Sequence, residues 1–177
     1  RQRQMCIRDS TQEDGPMMAS SASVKYIVIH CSATRSTRDY TAEQLLRDHK
    51  TRGFRTVGYH FYIRKNGDIK SLRPLSLPGA HVRGWNAGSI GVCYEGGLDE
   101  CGRPADTRTL FQKHSLRVLV LLLLKDYPGS RLCGHRDLSP DLNHNGEIEP
   151  EEWVKQCPCF DAATILTEPP PPNPACL

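Results

Sequence analysis

VKYIVIH, residues 24–30, is a short β-branched apolar run that stops at a histidine. Unbroken apolar character, in place of alternation, is the pattern of a strand buried on both faces, and such a strand delivers the residue at its end to a cleft. Residues 24–29 are therefore expected as a central strand, with His30 as the residue it presents.

Signals downstream of this strand agree with a layered fold. Thr41 and Gln44 have capping-box spacing, Leu45, Leu46 and His49 share one helical face, and Gly53 supplies a stop. YHFYIR (59–64) and DIKSL (68–72) flank Asn66-Gly67, a strong hairpin signal that predicts an antiparallel pair. SIGVCY (89–94) reads as another core strand ended by Glu95-Gly96-Gly97. From Asp106 or Thr107 to Tyr127 a largely apolar stretch, stopped by Pro128-Gly129, predicts a buried helix across the sheet. Residues 131–134 are expected as a last short strand ending at His135. The order strand, helix, hairpin, strand, helix, strand predicts an α/β fold: a single domain with a central mixed β-sheet flanked by helices.

The chain has 177 residues, 38% hydrophobic and 24% charged, which suits one core and not two. The domain is expected over 23–167. Residues 1–22 are expected to be a non-native or disordered leader, since the first ten resemble read-through of a sequencing adapter and the true start would be Met5, Met17 or Met18. Residues 168–177 are expected to be a Pro-rich tail. The formal charge of +3, from 23 basic and 20 acidic side chains, argues against a nucleic-acid partner and is compatible with an anionic polymer. The longest apolar run, 118–124, falls far short of the roughly 20 residues that cross a bilayer, so no membrane anchor is expected. The polar N-terminus has no h-region of a secretory signal, so a cytoplasmic location is expected. Eight cysteines are present, but a chain of this length builds a core without a disulfide framework. Cys31, Cys93 and Cys133 lie in strand-like stretches and read as small buried hydrophobes.

His30, His135 and the cysteine pair of CPCFD (157–161) supply the donor types that zinc takes: neutral imidazole nitrogen and thiolate sulfur, with one position left for water when the site is catalytic. Spacing over a hundred residues does not by itself distinguish such a site from hydrogen-bonded histidines at strand ends.

Five blocks carry a resemblance: IVIHCSAT (27–34), VGYHFYI (57–63), GAHVRGWNAGSIGVC (79–93), GHRDLSP (134–140) and KQCPCFD (155–161). Together, over 24–166, they resemble the N-acetylmuramoyl-L-alanine amidase family, which includes amidase-type phage lysozymes and animal peptidoglycan recognition proteins. The resemblance implies that His30, His135 and Cys157 bind Zn2+, with Cys157 chosen over Cys159 because it precedes proline. It implies that Tyr59 and Lys155 are catalytic and that His81 and Asn86 bind substrate. It further implies hydrolysis of the amide between the lactyl group of N-acetylmuramic acid and L-alanine in bacterial peptidoglycan, by an endolysin that acts on the wall after release, as a monomer. A non-catalytic peptidoglycan-binding protein is the alternative, and a structural zinc module with His60, His81 or Cys159 as fourth ligand is another. Zinc would activate water near neutral pH and polarise the scissile carbonyl, and Lys155 would stabilise the oxyanion.

DLNHNGEIEPEE (141–152), inserted between His135 and Cys157, matches an EF-hand loop, with oxygen donors at positions 1, 3 and 5, Gly146 at 6 and Glu152 at 12. Ca2+ there would stiffen the loop and position Lys155 and Cys157. A loop closed by Asx turns alone is the competing expectation.

Overall fold

The structure, a computed structural model, describes residues 23–169. The leader expected over 1–22 and all of the expected tail except Glu168 and Pro169 lie outside the described residues.

In chain order the elements are β1 (Tyr26–Cys31), β2 (Thr34–Arg35), α1 (Ala42–Thr51), β3 (Phe61–Ile63), β4 (Ile69–Ser71), β5 (Ser89–Tyr94), β6 (Gly97–Leu98), α2 (Leu110–Asp126), β7 (Arg131–Gly134) and α3 (Thr164–Thr167). The main sheet has the order β4-β3-β5-β1-β7, and β2 pairs with β6 in a two-stranded annex. Strands β3, β5, β1 and β7 are parallel, while β4 is an antiparallel edge strand added by the hairpin. This is the expected mixed sheet.

The apolar run at 24–30 is central, and Ile27, Val28 and Ile29 are fully buried. It departs from expectation in length. β1 extends through His30 to Cys31, both paired with β5, whereas its pairing with β7 ends at Ile29 opposite Gly134. His30 therefore lies inside the strand and not just past it.

One face of the sheet packs Ile27, Ile29, Ile63, Ile90 and Val92 against Leu116, Leu119, Val120 and Leu123 of α2. The opposite face holds Tyr62 and Cys93 with Tyr40, Leu45 and Val57 beside α1, and Val28, Val82 and Cys133 nearer β7. Cys31, Cys93 and Cys133 are buried as the sequence suggested.

Both long helices begin at reciprocal capping boxes, Thr41 with Gln44 and Thr109 with Gln112. The second box moves the start of α2 to Leu110, later than Asp106 or Thr107. The helix expected to be buried across the sheet is buried on one side: Leu110, Phe111, Val118, Leu121 and Leu122 are 41–54% exposed. The sheet covers one side of a helix only, so at 3.6 residues per turn the remaining leucines face outward whatever their hydrophobicity.

Glu95, at the end of β5, ties three elements together. Its buried carboxylate accepts from the Tyr40 amide at 2.6 Å, Arg64 Nε at 2.7 Å and the Lys65 amide at 3.0 Å. Removing one partner of a buried charge pair leaves the other desolvated and uncompensated. Arg64→Ala is thus expected to cost about 3 kcal/mol in urea unfolding. An unchanged unfolding midpoint would show that the two amides satisfy the carboxylate alone.

Candidate active site

The shorter reach of β7 creates the site. After Gly134 the chain leaves the sheet as a 3-10 turn, His135–Leu138, closed where the Gly134 amide donates to Asp137 Oδ2 at 2.7 Å. His135 is thereby turned toward the protruding end of β1. The Cys31 amide, beyond the last β1–β7 pair, donates to Cys157 Sγ at 3.2 Å.

The segment around Cys157 is pinned from three sides. Tyr94 Oη donates to Pro158 O at 2.7 Å, Phe160 is buried in the core, and the Arg136 amide donates to Cys157 O at 2.9 Å. Pro158 lies so close to β7 that a Cβ on Gly134 would meet its Cδ at 2.5 Å, which makes glycine a packing requirement there.

These constraints bring His30 Nδ1 within 3.2 Å of His135 Nδ1 and 3.8 Å of Cys157 Sγ. All three donor atoms lie within 4.8 Å of one another. Tetrahedral zinc with Zn–N of about 2.05 Å and Zn–S of about 2.3 Å spaces its ligands by roughly 3.3 Å (N to N) and 3.6 Å (N to S), so the constellation has the size of such a site. Burial drives the His30 pKa well down, reinforced by His81, His135 and Lys155; burial and then Lys155 lower that of His135 to about 4. Both rings are consequently neutral near pH 7, the form that ligates metal.

Among the described residues no fourth ligand joins this group. His60 is buried, with its Nδ1 accepting from the Gly91 amide at 3.0 Å and its Nε2 donating to Leu77 O at 2.9 Å. His81 is bonded to His30 Nε2, on the far side of that ring from the cluster. The Cys159 sulfur lies 3.9 Å from Cys31 Sγ, and its thiol is free. The four-ligand structural module is therefore not assembled.

A cleft of about 170 Å³ opens onto the cluster, lined by His30, His135 and Cys157 with Tyr59, Lys155 and His49 among its other walls. The Tyr59 ring centroid is 5.1 Å from that of His30, and burial pushes its hydroxyl pKa well up. Lys155 is exposed beside the ligands. His81 and Asn86, expected at the substrate, are found in local hydrogen bonds: Asn86 Oδ1 accepts from the amides of His81 at 2.8 Å and Val82 at 2.9 Å. His49 was not singled out by sequence reasoning. Its signal was a histidine among leucines on the buried face of α1, and the Gly58 amide donates to its Nδ1 at 3.1 Å. On the other side of His135 a groove of about 420 Å³ is walled by Arg83, Trp85, Leu138 and Val154.

The 141–152 loop closes on itself. Glu152 Oε1 accepts from the amides of Leu142 and Asn143, and Oε2 accepts from that of Glu149. Asp141 Oδ2 accepts from the Gly146 amide, and Asn143 and Asn145 each form an Asx turn. Flanking helices are lacking, with only a 3-10 turn, Pro150–Glu152, at the end. Asp141 Oδ1 is shielded and has no hydrogen-bond partner.

A family profile described as N-acetylmuramoyl-L-alanine amidase matches residues 20–158. The chain is 38% identical over 135 residues to the endolysin of Klebsiella phage KP32, spanning 76% of this chain and 80% of that one. It is 36% identical over 135 residues to the endolysin of Escherichia phage T7, with the same two coverages. Its structure resembles that of the N-acetylmuramoyl-L-alanine amidase LysC from Clostridium intestinale URNW, with TM-score 0.64, 28% identity and coverage of 82% of this chain and 84% of LysC. Drosophila PGRP-LB, at 21% identity, TM-score 0.59 and 85% coverage of each chain, shares the fold. The chain belongs to the N-acetylmuramoyl-L-alanine amidase family, and it is an amidase.

Proposed function

We propose that the protein is a zinc-dependent N-acetylmuramoyl-L-alanine amidase that cleaves the amide between the lactyl group of N-acetylmuramic acid and L-alanine in peptidoglycan, and that it serves as an endolysin. The observation that carries this reading is the convergence of His30, His135 and Cys157, with no fourth donor among the described residues, on a cleft that also holds Tyr59 and Lys155. Zinc held by those three would supply a Lewis acid that polarises a carbonyl and makes water nucleophilic near neutral pH.

The other side chains have separable tasks. Lys155 places a cation at the mouth of the cleft, where negative charge develops on the carbonyl oxygen. Burial keeps Tyr59 protonated, so its hydroxyl is a hydrogen-bond donor throughout the working pH range. Two openings, the cleft and the Trp85 groove, share the His135 wall. That suits a substrate whose scissile amide has a glycan on one side and a peptide on the other. The endolysin role is supported by the phage relatives of that name, and no helix of the described residues is long and apolar enough to cross a membrane.

The alternative of a non-catalytic wall-binding protein is less favoured, because Cys157 and Lys155 are both present beside the two histidines. The idea of calcium at 141–152 rests on the oxygen spacing of the sequence, and Asp141 Oδ1 there is shielded and unpartnered. Binding there would have to draw Glu152 away from the three amides it now accepts from.

Lys155→Ala is expected to fold, retain zinc and lose about 10²–10³-fold in turnover of purified cell wall, the size of one lost oxyanion donor. Cys157→Ser is expected to lose both zinc and activity. Mass spectrometry of the products should show new L-alanine amino termini with intact glycan, and wild-type turnover by Lys155→Ala would remove that residue from the chemistry. For calcium, calorimetry on the zinc-loaded protein should show heat at millimolar concentration, and a flat titration ends the idea.

A further inference from the structure

Behind the ligand cluster the hydrogen bonds form a chain whose direction can be deduced. Trp85 O can only accept, and Ser89 Oγ lies 2.8 Å from it, so the single hydroxyl hydrogen of Ser89 is committed there. Ser89 Oγ is then left as an acceptor for His81 Nε2, at 3.3 Å. A neutral imidazole has one N–H, so placing it on His81 Nε2 leaves His81 Nδ1 bare. That bare nitrogen is 2.9 Å from His30 Nε2, which must donate to it. His30 Nδ1, the atom that faces His135 and Cys157, is in turn left with its lone pair free.

The ring at the middle of this chain sits in a seat cut to its shape. A Cβ on Gly91 of β5 would lie 2.6 Å from His81 Cδ2, and one on Gly79 would lie 2.2 Å from the same atom. Neither backbone can carry a side chain while the imidazole stays in place. Asn86 fixes the other end by accepting from the amides of His81 and Val82.

We infer that His81 is a positioning residue that sets the tautomer of His30, presenting Nδ1 to the metal, and that Gly79, Asn86 and Gly91 seat His81 for this task. The inference rests on the zinc site proposed above and adds to the place of His81 in the cleft wall. Outer partners that orient a ligating histidine are generally worth 10–100-fold in metal affinity.

The test uses two variants of the full chain. His81→Asn puts an amide oxygen near the position of Nδ1 and retains an acceptor for His30, whereas His81→Leu fills the space and offers none. Zinc affinity is read by competition with a chelator, and His30 tautomers are read from imidazole 15N shifts in the zinc-free protein. His81→Leu should bind zinc 10–100-fold more weakly, and His81→Asn should recover to within a few-fold of wild type. Wild-type His30 should carry its proton on Nε2. Wild-type zinc affinity in His81→Leu, equal losses in both variants, or a proton on His30 Nδ1 in the wild type would each overturn the assignment. If the leucine variant does not fold, the wild-type 15N spectrum still decides. If the wild-type protein takes up no zinc at all, the metal site fails, while the same spectrum reports separately on whether His81 sets the His30 tautomer.

Discussion

The site depends on two neighbouring parallel strands ending at different heights. β7 stops pairing at Gly134 opposite Ile29, and β1 continues through His30 and Cys31 along β5. The unpaired margin of β1 is left with a backbone donor at Cys31 that a further β7 residue does not reach. In a buried setting such a donor must find a partner, and it finds the sulfur of Cys157. The same offset frees His135 to turn inward at the level of His30. Crevices at the carboxyl ends of parallel strands are where α/β folds place their chemistry, and here the stagger of one strand pair determines which three side chains meet.

Close approach of backbone to side chain refines this geometry. Gly134 lets Pro158 lie against β7, and Gly91 and Gly79 let the His81 ring lie against the sheet. The two contacts act on opposite sides of the cluster, one setting the height of Cys157 and the other backing His30. Burial does the electrostatic part, since desolvation is the largest cause of the lowered pKa at both His30 and His135. Neutral imidazoles carry no charge for the core to compensate, so both rings can be enclosed without a carboxylate partner.

Much of the scaffold was legible in local sequence. VKYIVI, SIGVCY, the Thr41 and Gln44 pair and Asn66-Gly67 state their conformations within a few residues, and each forms near its expected place. The misreadings concern what local pattern does not contain. That β1 outruns β7 is a property of two strands a hundred residues apart, and the outward leucines of α2 depend on which side the sheet covers. The cluster of His30, His135 and Cys157 was legible only through resemblance, because nothing in their spacing sets them apart from ordinary polar residues. His81 too was singled out only through resemblance, and it lines the cleft with both ring nitrogens within hydrogen-bonding distance of protein groups.

The loop at 141–152 poses a mechanical problem, since it interrupts the chain between His135 and Cys157, whose donor atoms lie within 4.8 Å of one another. The structure isolates it at its base. The Val154 amide donates to Ser139 Oγ at 3.1 Å, the Arg136 guanidinium lies 4.1 Å from the Trp153 ring centroid, and the Arg136 amide holds Cys157 O. Lengthening a loop whose ends are already clasped adds little entropic cost, growing only with the logarithm of its length. The spacing of His135 and Cys157 is thus set by contacts at 134–139 and 153–158, and the inserted residues are free to carry acidic and amide oxygens without disturbing the histidine and cysteine they separate.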